Sequence, residues 1–155
     1  MKTYSFPSLL VVVILFFSCS KSSPTDNNEL VQIQPIDYDL FPTVRFCPSS
    51  SINSSQQKES FIVIKDATAY ADEFGCQATM PEVDFNTHFI LAGRVAFRQC
   101  IETKNQKIEL KSGVIRYHVA LEQSDCQKID TAFFAASLPI EYKDKEIDFV
   151  IEYLN

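Results

Sequence analysis

Apolar and polar residues alternate with a period of two along much of this chain, and that period predicts strands. "THFILAGRVAFR", residues 87–98, puts Phe89, Leu91, Val95 and Phe97 on one face. "KIELKSGVIRYHVALEQ" reads as a hairpin, with Ile108 and Leu110 on one arm and Ile115, Tyr117, Val119 and Leu121 on the other. Its turn falls at Lys111-Ser112-Gly113, where Gly113 can take the positive φ that a tight hairpin asks for. "IDTAFFAASLPI" and "EIDFVIEYL" add two strands; in the second, Ile147, Phe149, Ile151 and Tyr153 face inward while Asp148 and Glu152 face water. "FFAAS", 133–137, is apolar on both faces. That predicts a central strand covered by a helix on one side and a second layer on the other, with an exposed partner groove as the alternative.

The period changes once. After the short β-branched strand "FIVIK", 61–65, "DATAYADEFG" reads as a helix. Asp66 can cap the free N–H groups of the first turn. Ala67, Tyr70, Ala71 and Phe74 share one face, and Gly75 is placed to end the helix in a left-handed cap. Upstream, "LVQIQPIDYDL" alternates around Pro35, which suits an edge strand because proline cannot donate to a ladder; "PTVRF" could extend it. "CPSSSINSSQQKES", 47–60, reads as a low-complexity mobile loop. The expected fold is α+β and mainly β: an antiparallel meander forming a small sandwich or open barrel with one short helix, a single β-rich domain over 30–155.

Lys2 and the nine-residue apolar run Leu9 to Phe17 have the form of a secretory signal peptide. The run is too short to span a bilayer, which takes about 20 apolar residues. It ends on Ser18-Cys19, which resembles the bacterial lipoprotein box, with Phe16 where that box usually has Leu. The resemblance implies cleavage after residue 18 and lipidation of Cys19; ordinary cleavage nearby, with Cys19 incidental, is the alternative. Residues 19–29 then form a polar tether. Several acyl chains anchor a protein stably where one does not. The expected address is the cell envelope of a Gram-negative bacterium, on the outer or inner membrane, with the membrane itself as a partner through Cys19.

Charge narrows the partners further. Fourteen Lys and Arg stand against twenty Asp and Glu, for a net charge of −6, and removing residues 1–18 takes away only Lys2. An acidic chain without a basic cluster argues against nucleic acid, whose binding relies on phosphate neutralisation. Setting Cys19 aside leaves Cys47, Cys76, Cys100 and Cys126, an even number in an oxidising compartment, which predicts two disulfides. A turn centred between Ser112 and Gly113 places Cys100 opposite Cys126 at the open base of the hairpin. By elimination Cys47 pairs with Cys76, tying the 47–60 loop to the helix end.

Candidate chemistry is sparse. Asp84 and His88 are four apart, but at the start of a strand that spacing is about 13 Å, so turn capping by Asp84 and Asn86 is the better reading. His118, between Arg116 and Ala120 on a polar strand face, suits cross-strand pairing. The chain has no G-x-S-x-G, no H-E-x-x-H and no phosphate-cradling glycine loop. No catalytic residue, metal ligand or cofactor is assigned.

The stretch from "FIVIKD" through "PEVDF", 81–85, into "HFILAGRV" resembles the C-terminal domain of protease-complex accessory subunits of the PrcB type. Small lipoproteins of Bacteroidetes bacteria carry similar patterns. Arg98-Gln99-Cys100 stands where such domains often have a Gly-Gly step. The resemblance implies an accessory or interaction role. Three functions are therefore carried forward: a non-catalytic, lipid-anchored binding module acting on a protease or other envelope protein; a protease inhibitor presenting the 47–60 loop; and an enzyme built from unremarkable residues.

Overall fold

The computed structural model describes residues 33–41, 44–54, 57–78 and 80–154. Cys19, the signal peptide, the tether and Pro42-Thr43 of "PTVRF" lie outside them. Eight strands form two four-stranded sheets. One holds β1 (Ile33–Pro35), β5 (Cys100–Lys111), β6 (Val114–Ser124) and β8 (Ile147–Leu154), in the order β1-β5-β6-β8. The other holds β2 (Asp39–Leu40), β3 (Glu59–Ile64), β4 (His88–Phe97) and β7 (Asp130–Pro139), in the order β2-β7-β4-β3. Two helices, α1 (Ser51–Ser54) and α2 (Ala67–Phe74), and a 3-10 turn at Ile140–Tyr142 complete the α+β, mainly β sandwich.

The hairpin forms where the pattern put it. Lys111 faces Val114 across Ser112 and Gly113, both at positive φ (52° and 82°), the tight-turn geometry whose twist matches the strands. Near the base a bulge between Thr103 and Asn105 shifts the register, so Cys100 lies opposite Ser124 and not Cys126. The order also departs from a plain antiparallel meander. β7 leaves for the second sheet to pair with β4, and β8 returns to lie parallel to β6 (Ile115 opposite Ile147, Leu121 opposite Tyr153). A parallel pair needs such a crossover.

β7 is buried on both faces, as "FFAAS" predicted, and β4 beside it is as well, beyond the single apolar face expected of it. Phe89, Leu91, Val95, Phe134, Ala136 and Leu138 point between the sheets, against Ile115, Tyr117, Val119 and Leu121 of β6. Ile90, Ala92 and Ala135 point the other way, into a second cluster with Phe41, Phe46, Ile52, Ile64 and Phe74 under the helices. Gly93 lets this stacking close: a Cβ there would lie 2.6 Å from the Phe134 ring. Asp66 caps α2 by accepting from the Ala69 N–H at 2.8 Å. The inward face of α2 is Ala69, Tyr70, Glu73 and Phe74, however, with Ala67 and Ala71 exposed. The helix is rotated because the Glu73 carboxylate turns inward to accept from the Ser51 N–H (3.2 Å) and hydroxyl. Gly75 also departs from the left-handed cap, at φ −63°; it is needed for room, since a Cβ would run into the Ala71 carbonyl.

β8 and β3 lie over each other at one side of the sandwich and are sealed by aromatic rings. Phe61 stacks on Phe149 at 4.6 Å, and Phe97 meets Tyr153 at 5.6 Å. The Tyr153 hydroxyl donates to Glu59 Oε1 at 2.6 Å. Burial and that carboxylate raise the tyrosine pKa.

Candidate functional site: a basic groove at one end of the sandwich

Both expected cysteine pairs stand at bridging distance. Cα atoms are 5.4 Å apart for Cys100 and Cys126 and 5.6 Å for Cys47 and Cys76. The second pair helps to correct the picture of a mobile 47–60 loop. Residues 51–54 form α1, and Ser50 and Ile52 are buried. Asn53 donates to the carbonyls of Phe46 (3.0 Å) and Cys47 (2.9 Å), and Cys47 N–H donates to the Glu73 carbonyl at 2.7 Å. A Ser-rich stretch with weak helix propensity is thus folded by side chains that satisfy its backbone.

The same device builds the site. Arg94 lies mid-way along β4 and is only 8% exposed. Its Nε donates to the Ile52 carbonyl at 2.6 Å and a terminal nitrogen to the Gln57 carbonyl at 3.3 Å. The chain is thereby led past α1 to Lys58, whose carbonyl accepts from the Ala96 N–H at 2.8 Å. The Lys58 ammonium rests over two rings, 4.7 Å from Phe97 and 4.6 Å from Tyr153. A cation held over aromatic faces is favoured by their quadrupoles. Beyond Phe97 the chain exposes Arg98 and turns into β5. Across the gap the segment after Cys126 exposes Ile129, at 78% the most exposed large apolar side chain among the described residues.

These residues enclose a groove of about 590 Å³, lined by Gln57, Lys58, Arg94, Phe97, Arg98 and Ile129 with no described carboxylate among them. A second hollow adjoins it across Ile129, lined by Arg45, Phe46, Phe133 and the carboxylate-bearing Asp130, which pairs with Lys128. Arrangement and chemistry agree: fixed positive charge beside exposed apolar surface suits a ligand carrying anionic and apolar groups together.

The other sequence candidates take structural roles. At the opposite end of β4, Asp84 accepts from the Asn86 N–H (3.0 Å) and amide (2.9 Å) and from the Thr87 hydroxyl (3.2 Å). The hydrogen bonds from Asn86 lower its pKa. His88 has Nδ1 2.9 Å from the same hydroxyl. This turn borders a cleft of about 400 Å³ with Asp39 and Glu82. His118 joins the cross-strand pairing of the outer sheet face, 3.5 Å from Glu109, which also binds Lys107 at 2.5 Å. The Lys107 ammonium holds the Glu109 pKa down. Among the described residues no group of three or more His, Cys, Asp or Glu is placed to hold a metal ion, and no helix is long and apolar enough to cross a membrane.

Sequence reasoning missed the groove because its members span residues 57 to 129 in no motif. Two signals were present: an arginine inside the apolar run "ILAGRVAF", and a lone isoleucine in the polar run "SDCQKID". Compared with known proteins, the chain matches no protein-family pattern, no curated protein and no solved structure.

Proposed function

We propose that this chain is an exported, lipid-anchored, non-catalytic binding module of the cell envelope, which engages a protein partner through the basic groove. The observation that carries the reading is the pair of exposed cations Lys58 and Arg98 beside Phe97 and Ile129, with no carboxylate among the described lining residues, in a chain of net charge −6. Local charge opposite to the whole marks a surface whose electrostatics select one partner and repel others. The signal-like segment, the Ser18-Cys19 step and the resemblance to protease-complex accessory subunits support an envelope setting, with a protease as one candidate partner. The inhibitor reading draws less support, since Ser50 and Ile52 of its bait loop are in the core.

Crosslinking on intact envelopes of the native host tests this. A defined protein adduct is expected with the native chain and a weakened one with Lys58→Glu/Arg98→Glu; equal adducts, or none, overturn the reading. Mass spectrometry of the same material is expected to show acylated Cys19 as the first residue, and an intact Met1 would remove the anchor.

A further inference from the structure

The groove lies at the end of the sandwich remote from where the described chain begins. Ile33 pairs with Lys111 beside the Ser112-Gly113 turn, whereas Cys100 and Phe97 mark the opposite ends of β5 and β4. Ten strand residues separate the two ends by about 30 Å. On the anchored reading above, the anchored segment enters the domain at β1, at the turn end and not at the groove end.

We infer that the occupant of this groove is a carboxylate-bearing, partly apolar segment of a partner protein. Lys58 and Arg98 pair with its Asp or Glu side chains, and an adjacent aliphatic or aromatic side chain packs on Phe97 and Ile129. The composition of the groove selects this class. Arg94 is engaged by the Ile52 and Gln57 carbonyls, which leaves two cations to face a ligand. Two suffice for a pair of carboxylates; a long polyanion such as a nucleic acid or sulfated glycan gains affinity by neutralising many charges and would meet the acidic remainder of the surface. An apolar wall of Phe97 and Ile129 has no use in holding a bare anion but fits a side chain of a peptide.

Peptide and charge also converge geometrically. Lys58 sits over Tyr153, near the C-terminal end of β8, and β8 is the outermost strand of its sheet, with β6 as its partner in the strand order. An extended segment lying along β8 finds backbone hydrogen bonds there and reaches Lys58 where the strand ends.

The test uses the full chain in detergent and fluorescence anisotropy with a labelled short peptide of alternating Glu and Leu. Saturable binding is expected, weakened by added salt and by roughly tenfold or more in Arg98→Glu. Glu82→Gln, in the cleft at the far end, is expected to bind as the native chain does. Circular dichroism confirms that each variant is folded. Equal binding of a Gln-Leu peptide, or equal binding by Arg98→Glu, overturns the inference. So does Arg98-dependent binding of a sulfated oligosaccharide, or of phosphatidylglycerol in mixed micelles with the detergent, in place of the peptide. If an envelope adduct forms and weakens in the groove variant while the peptide fails, the occupant is wrong and the binding-module reading stands. If the peptide binds through Arg98 while no adduct forms, the groove chemistry stands and the envelope reading falls.

Discussion

The two ends of β4 both gather charged side chains, and they use them differently. At the His88 end the carboxylate of Asp84 is consumed by its own turn, accepting from Asn86 and Thr87. At the Phe97 end cations are held in place from behind: Arg94 by carbonyls, Lys58 by ring faces. Carboxylates that close a loop are local architecture. Lys58 and Arg98, in a groove with no carboxylate among its described lining residues, present a field to something else. The contrast teaches that charge clusters should be sorted by what already satisfies them, before their proximity is read as chemistry.

The largest test of this contrast removes the staple at the basic end. In the chain-entropy account, closing the 26-residue separation of Cys100 and Cys126 stabilises the fold by about 3 to 4 kcal/mol. The double variant Cys100→Ser/Cys126→Ser is expected to lower the denaturant midpoint accordingly. It should also raise amide exchange around Ile129 while sparing the Asp84 turn; uniform loosening would show that the ends are not separate.

A mid-strand change should affect both ends alike. Gly93→Ala forces a methyl against Phe134 and Phe61, with contacts of 2.6 and 2.8 Å before relaxation. Overpacking of this kind costs about 1 to 3 kcal/mol. Pairing it with Phe134→Leu should recover part of the loss in thermal unfolding. An additive double variant would mean that the ring is not the obstacle.

Smaller effects separate the roles of the two charge groups. Asp84→Ala is expected to lower the thermal midpoint, because the Asn86 and Thr87 donors lose their acceptor. Arg98→Ala should leave stability within about 0.5 kcal/mol while reducing peptide binding. The reverse pattern would exchange the two roles.

Acid gives the smallest and most graded effect. Asp84 and Glu109 have folded pKa values below their ordinary range, Asp84 through hydrogen bonds and Glu109 through Lys107. Their stabilisation is therefore present above the unfolded carboxylate values, about 3.9 and 4.3, and is lost as pH falls through the folded ones. Unfolding monitored from pH 6 downward should show native stability holding to about pH 4 and declining below it. Glu109→Gln is expected to flatten that decline, and an unchanged slope would remove Glu109 from the account.

Much of this molecule was legible in the sequence where one interaction dominated. Strict alternation and Ser112-Gly113 set the hairpin, and two-sided apolar character marked β7 as central. Spacing paired Cys100 with Cys126, though a bulge at Lys104 moved the register beneath them. What stayed hidden depends on contacts distant in sequence. "SSSINSS" carries no helical period; α1 is held by its own Asn53 reaching back to the Phe46 carbonyl and by Glu73 and Arg94 of neighbouring elements. Nothing in "EIDFVIEYL" says that it runs parallel to β6, because that follows from β7 crossing to the other sheet. The groove was illegible for the same reason: folding alone brings residues 58, 98 and 129 to one place.

That crossing strand has a consequence for how the molecule is made. The β1-β5-β6-β8 sheet is complete only with β8, whose Tyr153 reaches back 94 positions to Glu59. Until it docks, Phe61, Phe97 and Tyr117 lack their covering rings from Phe149 and Tyr153. Non-local pairing of this sort is slow, on the order of milliseconds to seconds, and leaves a greasy flank open meanwhile. β8 is therefore expected to act as the closing clasp: a variant truncated before Ile147 should expose Phe61, Phe97 and Tyr117 and aggregate in place of folding.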